Sequence, residues 1–104
     1  ATIPVKRLGE PSEIASIIAD GELLHITTAG NQRYVINYRL KELEARLDEN
    51  KFMRLSRGAL ANIEMFERIA PMPGGTYQVT LKNGQEILTS RQQSRLLRER
   101  ILKL

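Results

Sequence analysis

Apolar and polar residues alternate most regularly in the C-terminal third of the chain. Every second residue between 77 and 81 is apolar or aromatic, which is the period of a strand with one buried face. The pair Asn83-Gly84 follows and favours a tight turn between antiparallel strands, after which apolar residues return at 87–88. This pattern predicts a β-hairpin over 74–90.

A second hairpin is predicted upstream. Segments 22–28 and 33–38 are rich in β-branched, apolar and aromatic residues, and 29–32 between them consists of turn residues. Two further strands are predicted at 2–8 and at 65–73, the latter broken by its prolines.

Leucines at helical spacing predict two helices. Segment 39–50 places leucines three and four residues apart among charged residues, as in an amphipathic helix resting on a core. The second helix is predicted from about Arg91 to the end of the chain. In 12–21, Ser12 can cap a helical turn while the following isoleucines fit a strand, so a helical turn leading into a strand is predicted. The chain is therefore predicted to be mostly β with two helices.

Segment 52–63, "FMRLSRGALANI", has apolar residues at both ends and arginines inside. The apolar residues can anchor it, and Gly58 permits a tight or left-handed turn just after Arg57. This predicts an anchored loop that displays Arg57, whose planar fork of donors suits guanine edges and phosphates. A strand-to-loop corner with incidental charges explains the residues equally well. Asn62 is predicted to satisfy backbone groups at a turn.

Composition limits the classes of function. The chain has 104 residues, 41% hydrophobic and 27% charged, which suits one folded domain with a modest core. It has no cysteine and one histidine, His25, so we predict neither a metal site nor a cofactor. We predict no enzyme, because neither a Gly-rich phosphate loop nor a recognisable carboxylate pair is present. No apolar run approaches the roughly 18 residues of a membrane span, and we predict a cytoplasmic location without a membrane partner.

The net charge of +4 is unevenly distributed. Between Thr89 and Leu104 there are five basic residues and one acidic residue, whereas the acidic residues lie mostly between residues 10 and 50. This asymmetry predicts one positive surface and a polyanionic partner.

The start of the last helix is the most informative local feature. Ser90 at the predicted N-cap and Gln93 three residues later form a capping-box pattern. Arg91 and Gln92 would then lie beside unpaired backbone N–H groups at the positive end of the helix dipole, an arrangement that suits a phosphate. Arg95 falls on the same helix face as Arg91. Taken alone, a capped helix with a solvated polar face explains the same pattern.

Three motifs, in this order, resemble the LytTR family of DNA-binding domains over nearly the whole chain. "LKELEARL" at 40–47 is similar to the family's first helix, and "YQVTLKNGQEILTSR" at 77–91 is similar to its hairpin and Ser-Arg helix start. Between them the family carries Phe-x-Arg-x-His-Arg-Ser-x-x-x-Asn, which corresponds here to Phe52, Arg54, Ser56, Arg57, Gly58 and Asn62.

The resemblance implies an α+β fold, a compact stack of short, mainly antiparallel β-sheets with two helices. It implies sequence-specific binding to duplex DNA for transcription regulation, with loops of the β-core reaching successive major grooves. It also implies that 1–104 is a single domain, the C-terminal fragment of a larger regulator. The partners it implies are an upstream sensor or two-component receiver domain in the same chain, and a second copy when the DNA sites are paired.

The resemblance places the DNA contacts in three loops: Gly21 to His25, the loop around Ser56 and Arg57, and the start of the last helix. Arg57 and Arg91 are expected to read bases or enter a groove, and Ser56 assists. The residues expected to position the DNA backbone are Thr89, Ser90, Gln92 and Arg95. The full predicted DNA-binding set is Glu22, Leu24, His25, Ser56, Arg57, Thr89, Ser90, Arg91, Gln92 and Arg95.

Three residues depart from the family pattern. Ser56 and Gly58 stand where the motif has His and Ser, which removes an imidazole and a hydroxyl that could meet DNA. Glu22 stands where the family often has Asn, and a carboxylate can contact a base only by accepting from a cytosine amino group. The first loop is therefore predicted either to read a different base or to contribute little. His25, a lone histidine in a strand, also fits a plain surface residue.

Two other functions stay open from the sequence. A single-stranded nucleic-acid or RNA module would need exposed aromatic rings, and Phe52 and Tyr77 are expected to pack inside. A protein-interaction or ligand-sensing module with a basic surface fits the same charge pattern. Preference for duplex DNA would exclude the first, and failure to bind either nucleic acid at low salt would favour the second.

Overall fold

Two antiparallel sheets, packed against each other, form most of the computed structural model, which describes residues 14–103. The larger sheet has the strand order β3-β2-β1-β5-β4 and the smaller has the order β6-β7-β8. The strands are β1 Ile14–Asp20, β2 Leu23–Thr28, β3 Arg33–Asn37, β4 Phe52–Ser56, β5 Ala59–Asn62, β6 Phe66–Met72, β7 Thr76–Leu81 and β8 Glu86–Leu88. This confirms the predicted α+β class with antiparallel sheets.

Helical structure is confined to short segments. They are α1 Leu40–Glu44, a 3₁₀ turn Ile63–Met65, and α2 Arg91–Leu97, which continues as a π-helical turn Arg98–Leu102. Within residues 14–103, none of these helices is long and apolar enough to cross a membrane.

The two predicted hairpins are confirmed. In β2–β3, Leu23 pairs with Asn37 and Thr27 with Arg33. The β7–β8 turn uses Gly84 at φ +95°, a backbone conformation that favours glycine. The final helix is also confirmed at its predicted start.

The predicted helix over 39–50 is much shorter in the structure. Residues Leu40–Glu44 are α-helical, and the following residues form turns. The Asp48 carboxylate accepts from the Asn50 N–H at 2.9 Å, and the Asp48 carbonyl accepts from Phe52 N at 3.0 Å. The side-chain bond is an Asx turn, which competes with continuation of the helix, and the carbonyl bond closes a single turn that leads into β4.

Segment 52–63 is mainly a hairpin rather than a loop between anchors. Strands β4 and β5 pair from Phe52–Asn62 to Ser56–Ala59, so Arg57-Gly58 is a two-residue turn. Gly58 has no positive φ, so the turn is tight but not left-handed. The predicted display of Arg57 is retained, because its side chain is exposed at the tip.

Two other strand predictions change. Strand β6 runs unbroken through Pro71, which pairs with Tyr77; β6 is an edge strand, where proline's missing N–H is tolerated. The described part of 12–21 is strand from Ile14 onwards. The predicted helical turn at Ser12 and the strand at 2–8 lie outside the described residues.

The larger sheet separates two hydrophobic clusters. One lies under α1 and includes Leu40, Leu43 and Leu60. The other lies between the sheets and also receives Leu97 from α2. Residues of β5 alternate between them, since Leu60 joins the first cluster and its neighbours Ala59 and Ala61 join the second. Strand β5 therefore fixes the hairpin tip relative to both cores.

Asn62 is fully buried and bonds to two parts of the backbone. Its Nδ2 donates to the Ile14 carbonyl at 2.9 Å, and its Oδ1 accepts from Glu64 N at 2.9 Å. The second bond caps the 3₁₀ turn. The predicted structural role of Asn62 is therefore confirmed.

We expect Asn62→Ala to lower the free energy of unfolding by about 1–3 kcal/mol, because it leaves buried backbone groups without these partners. The exposed Asn37 provides the control, and Asn37→Ala should change stability by less than about 0.5 kcal/mol. Urea unfolding followed by far-ultraviolet circular dichroism measures both. Equal losses in the two variants would contradict the role assigned to the Asn62 side chain.

Candidate nucleic-acid interface

The β1–β2 turn and the tip of the β4–β5 hairpin lie side by side. The Ala19 N–H donates to the Gly58 carbonyl at 2.8 Å, which continues the pairing of β1 with β5 to the tip. Gly21 turns the chain at φ +63°, in the region that favours glycine. Two of the three predicted contact loops, those carrying Glu22 and Arg57, are thus brought together.

A groove of about 750 Å³ runs along these two turns and the start of α1. Glu22, Leu24 and Arg57 line it, as do several residues that the sequence analysis did not select. Four of its lining residues are basic and two are acidic: Arg39, Lys41, Arg54 and Arg57, and Glu22 and Glu42. The excess of cations suits a polyanion.

Arg39 and Lys41 are the main residues that the sequence analysis missed. Both are exposed and lie at the start of α1, so their side chains reach the groove only because α1 packs across the larger sheet. The basic pair flanking Leu40 was the sole sequence signal, and nothing local distinguished it from an ordinary solvated helix face.

Arg57 is exposed at the hairpin tip, but its backbone is held in place. Its carbonyl accepts from Arg54 Nη1 at 2.7 Å, and Arg54 Nη2 also contacts a carboxylate oxygen of Glu44 at 2.7 Å. Ser56, at the end of β4, is half-buried and pairs with Ala59. An exposed guanidinium on an anchored backbone is the arrangement predicted for this segment.

The start of α2 is capped as predicted, with one difference. Ser90 Oγ accepts from the Gln93 N–H at 3.2 Å. The Ser90 N–H donates to the Leu55 carbonyl of β4 at 3.0 Å, in place of the Gln93 side chain of a full capping box. This bond joins the third predicted contact region to strand β4, which leads into the turn that carries Arg57.

Arg91, Gln92 and Arg95 are all exposed and line one shallow depression together with Leu96. The β6–β7 turn lies next to it, because a Cβ placed on Gly74 would come within 3.8 Å of Arg91 Nη2. Gly74 has φ +86°, and no feature of the sequence pattern indicated that it lies at the site. The depression presents two guanidinium groups and an amide beside the helix N-terminus, which together can bind a phosphate.

Two predicted contact residues are buried. Thr89 is 2% exposed: its N–H donates to the Tyr77 carbonyl at 2.8 Å, and its hydroxyl accepts from Tyr77 N at 3.0 Å and bonds to Ser94 Oγ. Leu24 is also 2% exposed and belongs to the cluster under α1. The side chains of Thr89 and Leu24 therefore pack beneath the surface instead of reaching solvent.

Glu22 and His25 are exposed but lie differently. Glu22 borders the groove, next to Gly21. His25 follows the buried Leu24 in β2 and therefore points to the opposite face of the sheet. Its Nε2 lies 3.6 Å from an Asp20 carboxylate oxygen. His25 is therefore not brought to the groove that Leu24 and Arg57 line.

The described residues 14–103 contain no group of three His, Cys, Asp or Glu side chains placed to hold a metal ion.

Comparison with known proteins identifies the family. The family model of the LytTr DNA-binding domain matches residues 7–102. A sensory transduction protein LytR of Streptococcus mutans is 31% identical over 81 residues, which are 78% of this chain but only 32% of that protein. A solved LytTr DNA-binding domain from Bacillus cereus has a TM-score of 0.79 at 20% identity, covering 86% of this chain and 81% of that one.

These matches confirm the resemblance that three motifs predicted, and the solved structure confirms the fold. The family is one of DNA-binding domains rather than of enzymes. The chain belongs to the LytTr DNA-binding domain family, whose function is DNA binding.

Proposed function

We propose that this chain binds duplex DNA in a sequence-specific manner and regulates transcription. One observation carries the proposal: the three predicted contact loops, two of which display exposed arginines, are joined to one another by backbone hydrogen bonds. Ala19 N to the Gly58 carbonyl joins the first two loops, and Ser90 N to the Leu55 carbonyl joins the third. Exposed arginines on a fixed backbone suit base reading, because bidentate contacts need defined geometry.

The dimensions and the aromatic residues support a duplex over a single strand. The described residues extend 39 Å along the longest axis. That length can span one turn of B-DNA, about 34 Å, and so reach two successive major grooves across the minor groove. None of the five aromatic residues is exposed, and Tyr38 alone of them lines the groove, so the chain offers no row of exposed rings for stacking on unpaired bases.

The proposed roles follow the exposure of each side chain. Arg57 and Arg91 read bases, with Ser56 beside Arg57. Glu22 borders the same groove and can accept from a cytosine amino group. The side chains proposed to bind phosphates are those of Ser90, Gln92, Arg95, Arg39 and Lys41.

Three residues of the predicted set take other roles. Thr89 and Leu24 are buried, so we assign them to positioning the surface rather than to touching DNA. His25 lies on the opposite sheet face from Leu24, and we propose no DNA contact for it.

The chain spans about a third of the length of its streptococcal relative. We propose that it is the DNA-binding output domain of a longer cytoplasmic regulator, with a sensor or receiver domain upstream and binding as a dimer to paired sites. That relative is named as a sensory transduction protein, which agrees with this arrangement.

Selection from random duplex DNA tests the proposal, with affinity measured by fluorescence anisotropy at two salt concentrations. We expect enrichment of a short motif, and log K should fall by about 0.9 per phosphate contact against log salt. Salt-sensitive binding without an enriched motif would reject sequence-specific recognition. Failure to bind at low salt would favour a protein-interaction role.

Arginine variants should separate base reading from phosphate binding. We expect Arg57→Ala and Arg91→Ala each to cost about 1–3 kcal/mol on the selected site and to relax preference at one base pair. Arg95→Ala should weaken all sequences alike and reduce the salt slope by about 0.9.

The control for these variants is Arg68→Ala, which removes the same charge from an exposed position on β6. It should leave sequence preference unchanged. Equal losses on matched and scrambled DNA for all three site arginines would contradict the division of roles.

The positioning role of Thr89 predicts a change in stability. Thr89→Val keeps the shape of the side chain but leaves the Tyr77 N–H without its acceptor, so we expect a loss of about 1–3 kcal/mol in the free energy of unfolding. Thr76→Val is the control, because that hydroxyl makes one longer bond of 3.4 Å. If Thr89→Val left stability unchanged but lowered DNA affinity, the positioning role would be wrong and Thr89 would be assigned to direct DNA contact.

A further inference from the structure

The Arg54 side chain connects α1 to the hairpin tip. Its Nη1 donates to the Arg57 carbonyl and its Nη2 to a Glu44 carboxylate oxygen, both at 2.7 Å. The side chains of Arg54 and Glu44 are 21% and 40% exposed, so the pair is partly shielded from solvent. Within the described residues, the buried Arg54 Nε has no hydrogen-bond partner, and the side chain is held by the two ends of its fork.

The tip needs such support because the strand pairing is irregular beside it. The register of β4 and β5 shifts between Arg54 and Ser56, immediately before the turn. A shift of this kind disrupts the regular hydrogen-bond ladder and changes the direction of the strand. Beyond it, the tip is held by the Arg54 bond to the Arg57 carbonyl and by the Ala19 bond to the Gly58 carbonyl.

The chemistry of the pair is specific to arginine. Two acceptors, one from α1 and one from the tip, are satisfied by the two terminal nitrogens of one planar group. A lysine ammonium is a single point of attachment on a flexible stem and cannot reproduce this fork. Glu44 in turn fixes the plane of the guanidinium and thereby the direction of its bond to the tip.

We propose that Glu44 and Arg54 are positioning residues for DNA recognition, because their ion pair holds the β4–β5 tip where Arg57 can read a base. This inference rests on the proposed function. Neither residue needs to touch DNA; both act through the Arg57 backbone.

The direction in which DNA affinity changes when the Glu44 carboxylate is removed distinguishes a positioning role from charge repulsion. Removal of a carboxylate from a DNA-binding surface should raise the affinity, because a negative charge near phosphates is lost. Glu42 provides the matched control, since it lies on the same short helix and lines the groove. We expect Glu42→Gln to raise affinity for the selected site, and Glu44→Gln and Arg54→Lys to lower it about tenfold.

A double-mutant cycle tests whether the pair acts through Arg57. In the Arg57→Ala background, Glu44→Gln and Arg54→Lys should each change affinity for the selected site by less than about twofold, because the side chain that they position is gone. Equal losses with and without Arg57 would overturn the proposal, as would an increase in affinity for Glu44→Gln equal to that for Glu42→Gln.

Amide hydrogen exchange of the free 104-residue chain provides a measurement that does not involve DNA. The Ala19 N–H bonds to the tip at 2.8 Å, so its exchange should be about five- to tenfold faster in Arg54→Lys than in the unsubstituted chain. The Ile26 amide, in β2, reports on the sheet as a whole and should not change. An unchanged Ala19 rate, or equal acceleration at both amides, would overturn the positioning role. If the unsubstituted chain selects no DNA motif, the proposed function fails, and the Ala19 rate still decides whether the pair holds the tip.

Discussion

The hydrogen bond from the Ser90 N–H to the Leu55 carbonyl is the contact on which the arrangement of the interface depends. Strand β4 is an edge of the larger sheet, and Ser90 is the N-cap residue of α2. One bond therefore pairs an edge-strand carbonyl and sets where α2 begins relative to the hairpin tip. Since both partners are backbone groups, the spacing of Arg57 and Arg91 is fixed by the fold, and either side chain can be replaced without moving the other.

How much of the fold is predictable from sequence depends on whether the determinants are local. Asn83-Gly84 determines its own turn, and Ser90 caps its own helix. The β4–β5 hairpin lacks such signals because both faces of its strands are buried. Phe52 enters one hydrophobic cluster and Met53 enters the other, which removes the alternation that identifies a half-buried strand.

The same distinction between local and non-local determinants applies to the residues of the candidate interface. The exposure of Arg57 and Arg91 could be predicted because motif order and spacing place them at a turn and at a helix start. Arg39 and Lys41 could not, since only the packing of α1 brings them to the groove. The burial of Thr89 could not be predicted for a related reason: it is polar and adjoins the predicted contact region, yet its hydroxyl bonds to residues 12 and five positions away.

The acidic residues of the groove bear on specificity in the proposed complex. Four cations and two carboxylates line it, and the Glu44 carboxylate contacts one of those cations from outside the groove. Such a balance weakens the sequence-independent attraction to phosphates, which otherwise dominates binding to any DNA. A carboxylate such as Glu22 is also penalised wherever it faces an acceptor instead of a cytosine amino group. Under the proposed function, discrimination rests on a few well-positioned side chains, which agrees with the hydrogen bonds that hold the Arg57 turn and the Ser90 cap.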